Sequence, residues 1–359
     1  MLKCIIIGMN AVARASVVWL NYNSMRFIDI ALESLNSFLS LDFDGYELVV
    51  VDNASTDGSF ERIRRFIEEK RPSGVRVKIV RNERNLGYAG GMNVGWEARD
   101  PDSKYVAFAN NDLIPTPQSL TKLIEHMEGN EGGVAAVSGL IYYGDGRIIY
   151  SAGGWGGDEL WFFDDICNGF VIDECPGINK EHHVTYSDGA YMVVRVDVVR
   201  RTMPNGKPFI DETFLYLDDV LLGLVLWNMG YKSMYIPINA GLHFTSMTTR
   251  GPLISRYVIR SFTALSIIVE TKYSNTTKHL LMIRRSIGNK ILCLFKDDFC
   301  LKYYGYIDGI RLGNYLRSVL GTLNLYKAPY VKVSIYDLIK EALMVRGRVK
   351  VTHNMLVNS

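Results

Sequence analysis

The chain has 359 residues, 48% hydrophobic and 22% charged, which is enough to bury a core without disulfides or a structural metal. Its five cysteines include no Cys-x-x-Cys pair, which argues against a zinc cluster and predicts reduced thiols, with Cys167–Cys175 the one bridge left open. The net charge of +2 hides a split: residues 1–250 hold 23 Lys+Arg against 32 Asp+Glu, and residues 251–359 hold 17 against 6, so the first part is a poor host for nucleic acid and the second suits an anionic surface.

The apolar stretch Leu2–Gly8 is too short to span a bilayer and no cleavage site follows it, so it reads as an extra strand in a segment, 1–14, ahead of the main fold. The absence of a signal-like leader predicts a cytoplasmic protein. Ser16–Leu20 is a β-branched run that ends in the polar turn Asn21-Tyr22-Asn23-Ser24. Apolar residues from Phe27 to Phe38 then recur at helical spacing. Glu47–Val51 is a second buried strand, the capping turn Asn53–Gly58 follows, and Ser59–Lys70 is a helix. Val75–Val80 is a third strand, and the glycine-containing loop Asn85–Gly91 leads into a helix through Ala98. Tyr105–Ala109 is a fourth strand, ending in Asn110-Asn111-Asp112. This βαβαβαβ order predicts an α/β fold with a mostly parallel sheet flanked by helices. Each polar cluster then emerges at the carboxyl edge of the sheet, where such folds bind ligands. Beyond residue 130 the pattern loosens: a glycine- and aromatic-rich stretch at Gly132–Gly157, a strand at Tyr186–Val194, an acidic pair before the helical run Val220–Trp227, and a short strand or loop around His243. From about residue 254 the periodicity is helical.

Four clusters can carry chemistry. Asp52 at the end of the second strand can accept hydrogen bonds from a base or ribose, although Asn53, Ser55 and Asp57 beside it also suit a plain capping turn. The loop Asn85-Leu86-Gly87-Tyr88-Ala89-Gly90-Gly91 allows close backbone approach before a helix start, which suits phosphate. It is not a Walker A loop, since no Gly-Lys-Ser/Thr follows. Asn110-Asn111-Asp112 can hold Mg²⁺ or Mn²⁺ against a diphosphate, or can be a polar turn before Pro115. Asp218-Asp219 can supply a general base or simply charge a helix N-terminus, and His243 can be a ligand or a core histidine.

In this order the pieces resemble the family 2 glycosyltransferases of GT-A fold, near the rhamnosyltransferase-like members. The resemblance rests on Val17–Ser24, Val50–Gly58, Asn82 with Asn85–Gly95, Asn110–Asp112, Asp188-Gly189-Ala190, Phe209–Asp219 and His243–Ser246, and covers roughly residues 15–250. It implies a catalytic domain over 1–250 and a basic, mainly helical region over 251–359. It implies that Asn21, Asn23, Asp52, Asn53, Asn85, Gly87, Asn93, Asn110, Asn111 and Gly189 frame a nucleotide-sugar donor. Asp112 and His243 would hold a divalent metal, Mn²⁺ or Mg²⁺, bound mainly together with the donor. Asp219, with Asp218 beside it, would be the base of an inverting transfer to a hydroxyl on a glycan or a lipid-linked acceptor. Two positions depart from the family pattern. Asn110 stands where the metal motif has an acid, which weakens cation binding. Leu221 stands where an acid often follows the pair.

In the basic region, Arg284, Arg285, Lys290 and Lys296 lie among Leu280, Ile283, Ile287, Ile291, Leu292 and Leu294, a mixture that suits a helix lying on an anionic membrane. That predicts peripheral attachment to the inner face of a membrane. A solvated helical subdomain has the same composition. The competing function is a non-catalytic nucleotide-sugar or nucleic-acid binder on the same fold.

Overall fold

The computed structural model describes residues 3–7, 13–70, 74–130, 133–158, 163–245, 253–273, 275–294, 296–333 and 351–358. Four strands form the parallel half of one large sheet: β2 (Ala15–Asn21), β3 (Tyr46–Asp52), β4 (Arg76–Arg81) and β5 (Tyr105–Asn110), in the order β4-β3-β2-β5. Helices cover both faces, so β2, β3 and β5 read as near-continuous apolar runs, whereas β4, Arg-Val-Lys-Ile-Val-Arg, largely alternates. Val17, Trp19, Leu48 and Val50 pack under α1 (Ile28–Phe38) and α2 (Ser59–Lys70). Val18, Val49, Val51 and Phe108 pack against α3 (Gly87–Ala98), through Met92 and Trp96. The extra strand expected near the N-terminus is β1 (Lys3–Ile7), antiparallel along β4, with Lys3 opposite Arg81.

The sheet continues beyond β5 with a change of direction. β6 (Leu113–Pro115) and α4 (Ser119–Gly129) lead into β7 (Val134–Tyr143), followed by β8 (Ile149–Ser151), β9 (Gly154–Gly157), β10 (Phe163–Asp165) and β11 (His182–Val184). β12 (Tyr191–Arg195) inserts antiparallel between β5 and β7, so the sheet as a whole is mixed. After α5 (Val196–Thr202) and α6 (Asp218–Asn228), β13 (Lys232–His243) runs parallel to β7 with register shifts near Ile236 and Asn239. Its far end pairs antiparallel with β6, placing His243 opposite Leu113. That pairing is tight: a Cβ on Gly241 would stand 2.3 Å from the Ile114 carbonyl oxygen, so only glycine fits there.

Three helices follow: α7 (Leu253–Ile268), α8 (Asn275–Leu292) and α9 (Asp297–Leu320). Ala264, Ile267, Leu312 and Leu316 join the same core as Val220 and Leu224 of α6. The chain then returns, and Tyr330 and Val331 pair with β9. Cys167–Cys175, the one bridge the sequence leaves open, is a disulfide, and Cys293–Cys300 is a second one where reduced thiols are expected. Their Cα separations, 5.9 and 4.5 Å, lie in the range a bridge requires. No described helix is long and apolar enough to cross a membrane.

Candidate active site

The parallel strands deliver their last residues to one edge. Asn21 stands opposite Asp52 in register. Its Nδ2 donates to Asp52 Oδ1 at 2.9 Å and to Ser55 Oγ at 3.1 Å. Asp52 Oδ2 accepts from the Ser55 amide and faces Arg81 Nε at 3.2 Å, so this buried carboxylate is fully compensated. Asn23 has φ 46°, and its Oδ1 accepts from the Thr56 amide at 2.9 Å, which pins the first loop to the second. Asn53 fastens the third loop: its Nδ2 donates to Asn85 Oδ1 and the Gly87 carbonyl, both at 2.9 Å, and its Oδ1 accepts from the Leu86 amide. Asn93 is also occupied by the fold, since both its N–H bonds go to Phe209 O and Asp211 Oδ1. These asparagines stiffen the loops that line the edge.

The second group collects around the end of β5. Asn111 Nδ2 donates to Asn21 Oδ1 at 3.1 Å, and the Asn110 amide donates to the Ala190 carbonyl at 3.0 Å. The β6–β13 pairing then brings His243 onto Asp112, with Nε2 and Oδ1 3.1 Å apart and both side chains nearly buried. The 3.1 Å spacing is that of an ordinary hydrogen bond, and it also lies near the separation of about 3.0 Å between two ligands at right angles on a cation with bonds of about 2.1 Å. Nδ1 of His243 is buried with no hydrogen-bond partner among the described residues. No cluster of three or more acidic, histidine or cysteine side chains placed to hold a metal occurs among the described residues. One carboxylate and one imidazole leave most of a coordination shell to water or phosphate oxygens, which is how small divalent ions meet diphosphates.

The third group is the acidic pair at the start of α6. Phe214, Tyr216 and Leu217 precede it at φ 62°, 71° and 63°. Three left-handed non-glycine residues so close together are costly, and the surroundings hold them. The Phe214 carbonyl accepts from the Tyr88 amide at 2.6 Å, and Ser261 Oγ of α7 donates to the Leu215 carbonyl at 3.1 Å. A Cβ on Gly87 would fall 2.1 Å from that Phe214 oxygen, and Gly87 itself has φ 72°. Asp218 accepts from the Thr213 hydroxyl, and burial pushes its carboxyl up to about 7. Asp219 Oδ2 accepts from the Gly189 amide at 2.9 Å and Oδ1 from the Val220 amide at 2.8 Å. Burial and then neighbouring Asp188 raise its carboxyl to about 6 despite those bonds. Asp219 and Asp112 are thus linked through three consecutive residues, because the Asp188-Gly189-Ala190 turn touches both Asp219 and the strand end that leads to Asp112.

A cavity of about 990 Å³ runs along α3. Among the expected site residues only Asn85 and Asn93 line it; Asp112, Asp219 and His243 do not. Residues 246–252, which follow His243, and 159–162, which precede β10, lie outside the described residues, and so does Ser246.

Residues 16–186 match the family described as Glycosyl transferase family 2. Over these residues, a little under half of the chain, the sequence is similar to that family. The chain is 29% identical over 208 residues to a glycosyltransferase of Haemophilus influenzae, covering 57% of this chain and 57% of that protein. It is 30% identical over 112 residues to a glycosyltransferase of Nostoc sp., covering 31% of this chain and 32% of that protein. The chain therefore spans little more than half the length of the first relative and a third of the second. The fold is similar to that of PcManGT, a mannosyltransferase from Pyrobaculum calidifontis solved in complex with GDP-Man and Mn²⁺, at TM-score 0.50 and 15% identity over 85% of this chain and 88% of that one.

The structure adds residues to this site that the sequence pattern does not single out. Asp165 of β10 reaches the same corner and accepts from Ser151 Oγ at 3.1 Å. Burial and then Asp188 push its carboxyl well above the usual carboxylate range. Tyr150 packs edge-on to His243, ring centroids 4.5 Å apart, and faces Asp188, Asp165 and Asp219. A three-residue strand carries no readable periodicity, so only the His243 contact and the acidic neighbours reveal these two. Arg81 closes β4 directly opposite Asp52, and nothing in the sequence points to that pairing.

Proposed function

We propose that this chain is an inverting glycosyltransferase that moves a sugar from a nucleoside-diphosphate donor to an acceptor hydroxyl. The observation that carries the reading is the placement of Asp219, a carboxylate raised to about 6 and fixed by two amides, one short turn from the Asp112–His243 pair. A base with that acidity is ionised at neutral pH and still strong enough to take a hydroxyl proton. Asp219 accepts the proton from the acceptor hydroxyl as that oxygen bonds to the anomeric carbon. The bond to the diphosphate oxygen breaks on the opposite face, so configuration inverts; the developing state is oxocarbenium-like. Asp112 and His243 would hold a divalent ion, Mn²⁺ or Mg²⁺, which when bound neutralises charge on the leaving diphosphate. The loops after β2, β3 and β4, with Asn21, Asp52 and Asn85, form the nucleotide side of the cleft. The solved mannosyltransferase of similar fold is in complex with GDP-Man and Mn²⁺, which supports this class of donor and cation.

The expected result of a thermal-shift screen over UDP, GDP, dTDP and their sugars is one base that raises Tm, and more so with Mn²⁺. Binding at a hundred times Kd stabilises by about 2.7 kcal/mol. A shift by no nucleotide at any cation concentration overturns the donor reading.

We also assign the basic region to an anionic membrane surface. On α8, Leu280, Ile283, Ile287 and Ile291 form an apolar stripe at helical spacing that faces outward, Ile287 being 54% exposed, and Leu294 extends it just past the helix end. Arg284 and Lys290 lie on the same helix, which contains no acidic residue. That combination suits a helix lying in the headgroup boundary. The variant Ile283→Glu/Ile287→Glu/Ile291→Glu is expected to lose co-flotation with phosphatidylglycerol vesicles that the unmodified chain shows. Equal flotation of the two, or of neither, removes the membrane from the proposal.

A further inference from the structure

Another cavity lies between α7, α9 and the turn Asp211–Thr213, and it shares Glu212 with the cavity along α3. It measures about 390 Å³ and is lined by Glu212, Arg256, Tyr257, Arg260, Asp308 and Arg311. It forms because α7 and α9 touch backbone to backbone along Gly305, Gly309 and Gly313. A Cβ on Gly305 would stand 2.7 Å from the Arg256 carbonyl oxygen, and one on Gly309 2.5 Å from Thr263 Cβ. This close contact sets two arginines of α7 against one of α9.

Three guanidinium groups face two carboxylates there. Arg256 Nε donates to Asp308 Oδ2 at 2.8 Å, which uses one acid. Glu212 is engaged by the Tyr315 hydroxyl. Arg260 lies over the Tyr257 ring at 5.1 Å and donates through Nη2 to the Thr213 carbonyl. Its Nε is buried with no hydrogen-bond partner among the described residues. Arg311 is exposed and makes no ion pair among the described residues. Asp218 also acts on Arg260, so the charges nearly balance; what stays open is Arg311, exposed and without an ion pair among the described residues, and the buried Arg260 Nε with nothing to donate to. A buried unpaired N–H on a charged group is expensive, and an oxyanion removes the cost. Guanidinium forks match the several oxygens of a phosphate better than a lone carboxylate.

We infer that this cavity binds a phosphate ester carried by the acceptor. The inference rests on the glycosyltransferase reading and adds the chemical class of the acceptor. Its position supports it: Arg260 donates to Thr213, the Thr213 hydroxyl donates to Asp218, and Asp219 is the next residue. An acceptor anchored by its phosphate on α7 and α9 is therefore held at the turn that leads into the acidic pair. The apolar stripe of α8 belongs to the same helical layer, which suits a phosphate presented from a lipid.

The test is titration calorimetry on the full chain with hexyl phosphate, hexyl glucoside and inorganic phosphate. Hexyl phosphate is expected to bind, hexyl glucoside not to, and inorganic phosphate to bind more weakly than the ester. Arg311→Glu is expected to weaken hexyl phosphate by about tenfold or more and to leave the thermal shift by nucleotide-sugar unchanged. Equal affinity of the unmodified chain and Arg311→Glu for hexyl phosphate overturns the site. Equal affinity for hexyl glucoside and hexyl phosphate also overturns it. Inorganic phosphate binding as well as the ester overturns the acceptor assignment and marks a free-anion site. Failure of every nucleotide to bind sinks the glycosyltransferase reading alone, because the hexyl phosphate titration does not depend on a donor.

Discussion

Asp219→Asn is expected to lower kcat by about a hundred- to ten-thousand-fold while nucleotide-sugar still raises Tm to the same extent. That is the usual range for removing one positioned acid or base. The amide keeps the shape of the side chain, and its oxygen can still accept from Gly189 or Val220, so the loss reports proton transfer rather than collapse. The pH profile gives an independent check. Asp219 works ionised, and burial with Asp188 beside it raises its carboxyl to about 6. The rate should therefore be flat above pH 7 and fall about tenfold per unit well below pH 6. An unshifted carboxyl would place that limb near pH 4. Asp218 points the other way, onto the Thr213 hydroxyl, and is raised to about 7 mainly by burial. Asp218→Asn should therefore retain far more activity than Asp219→Asn. If Asp219→Asn turns over near the unmodified rate, or Asp218→Asn proves the inactive one, the assignment is wrong.

Much of this site is readable before any coordinates, for a physical reason. In a parallel sheet covered on both faces, each strand is an unbroken β-branched run that ends abruptly in polar residues. Val17–Asn21 and Val49–Asp52 show that signature, and Ala107–Asp112 ends just as abruptly after an apolar run without β-branched residues, so the edge residues announce themselves. The second half of the sheet does not. β7 sits in a stretch whose glycines and aromatics hide its ten residues, and β13 is broken by register shifts, so only its last residues suggest a strand around His243. The helix Ser119–Gly129 is hidden because it begins just after Pro115 and Pro117, which read as a turn. Asp165 and Tyr150 belong to strands of three residues, too short for any period. The cysteine pairs depend on loop paths that spacing alone does not fix. Asn93 matches the family motif, yet its amide is spent on Phe209 and Asp211, which a motif cannot show.

Asp112 and His243 are 131 residues apart in sequence and 3.1 Å apart in space, and that contact can serve either the fold or a cation. Titration distinguishes the two. If the pair holds a divalent ion, Mn²⁺ should bind tightly only when UDP or GDP is present, because the protein offers one carboxylate and one imidazole and the diphosphate must supply more. His243→Gln should then raise the Mn²⁺ concentration for half-maximal rate by about 10- to 100-fold. Asp112→Asn removes the negative charge of the pair and should lower kcat/KM by about a hundred- to a thousandfold. Asn110 sharpens the expectation: with a neutral amide where a second acid would sit, dependence on the nucleotide should be stronger than at a site with two carboxylates. If the pair is only a buried hydrogen bond, both variants should lose Tm while the cation dependence stays where it was. A chelator that leaves the rate unchanged would point the same way and remove the cation from the mechanism. Proton removal by Asp219 would then be the one chemical step left to these residues, and the leaving diphosphate would depart with its charge met by hydrogen bonds alone.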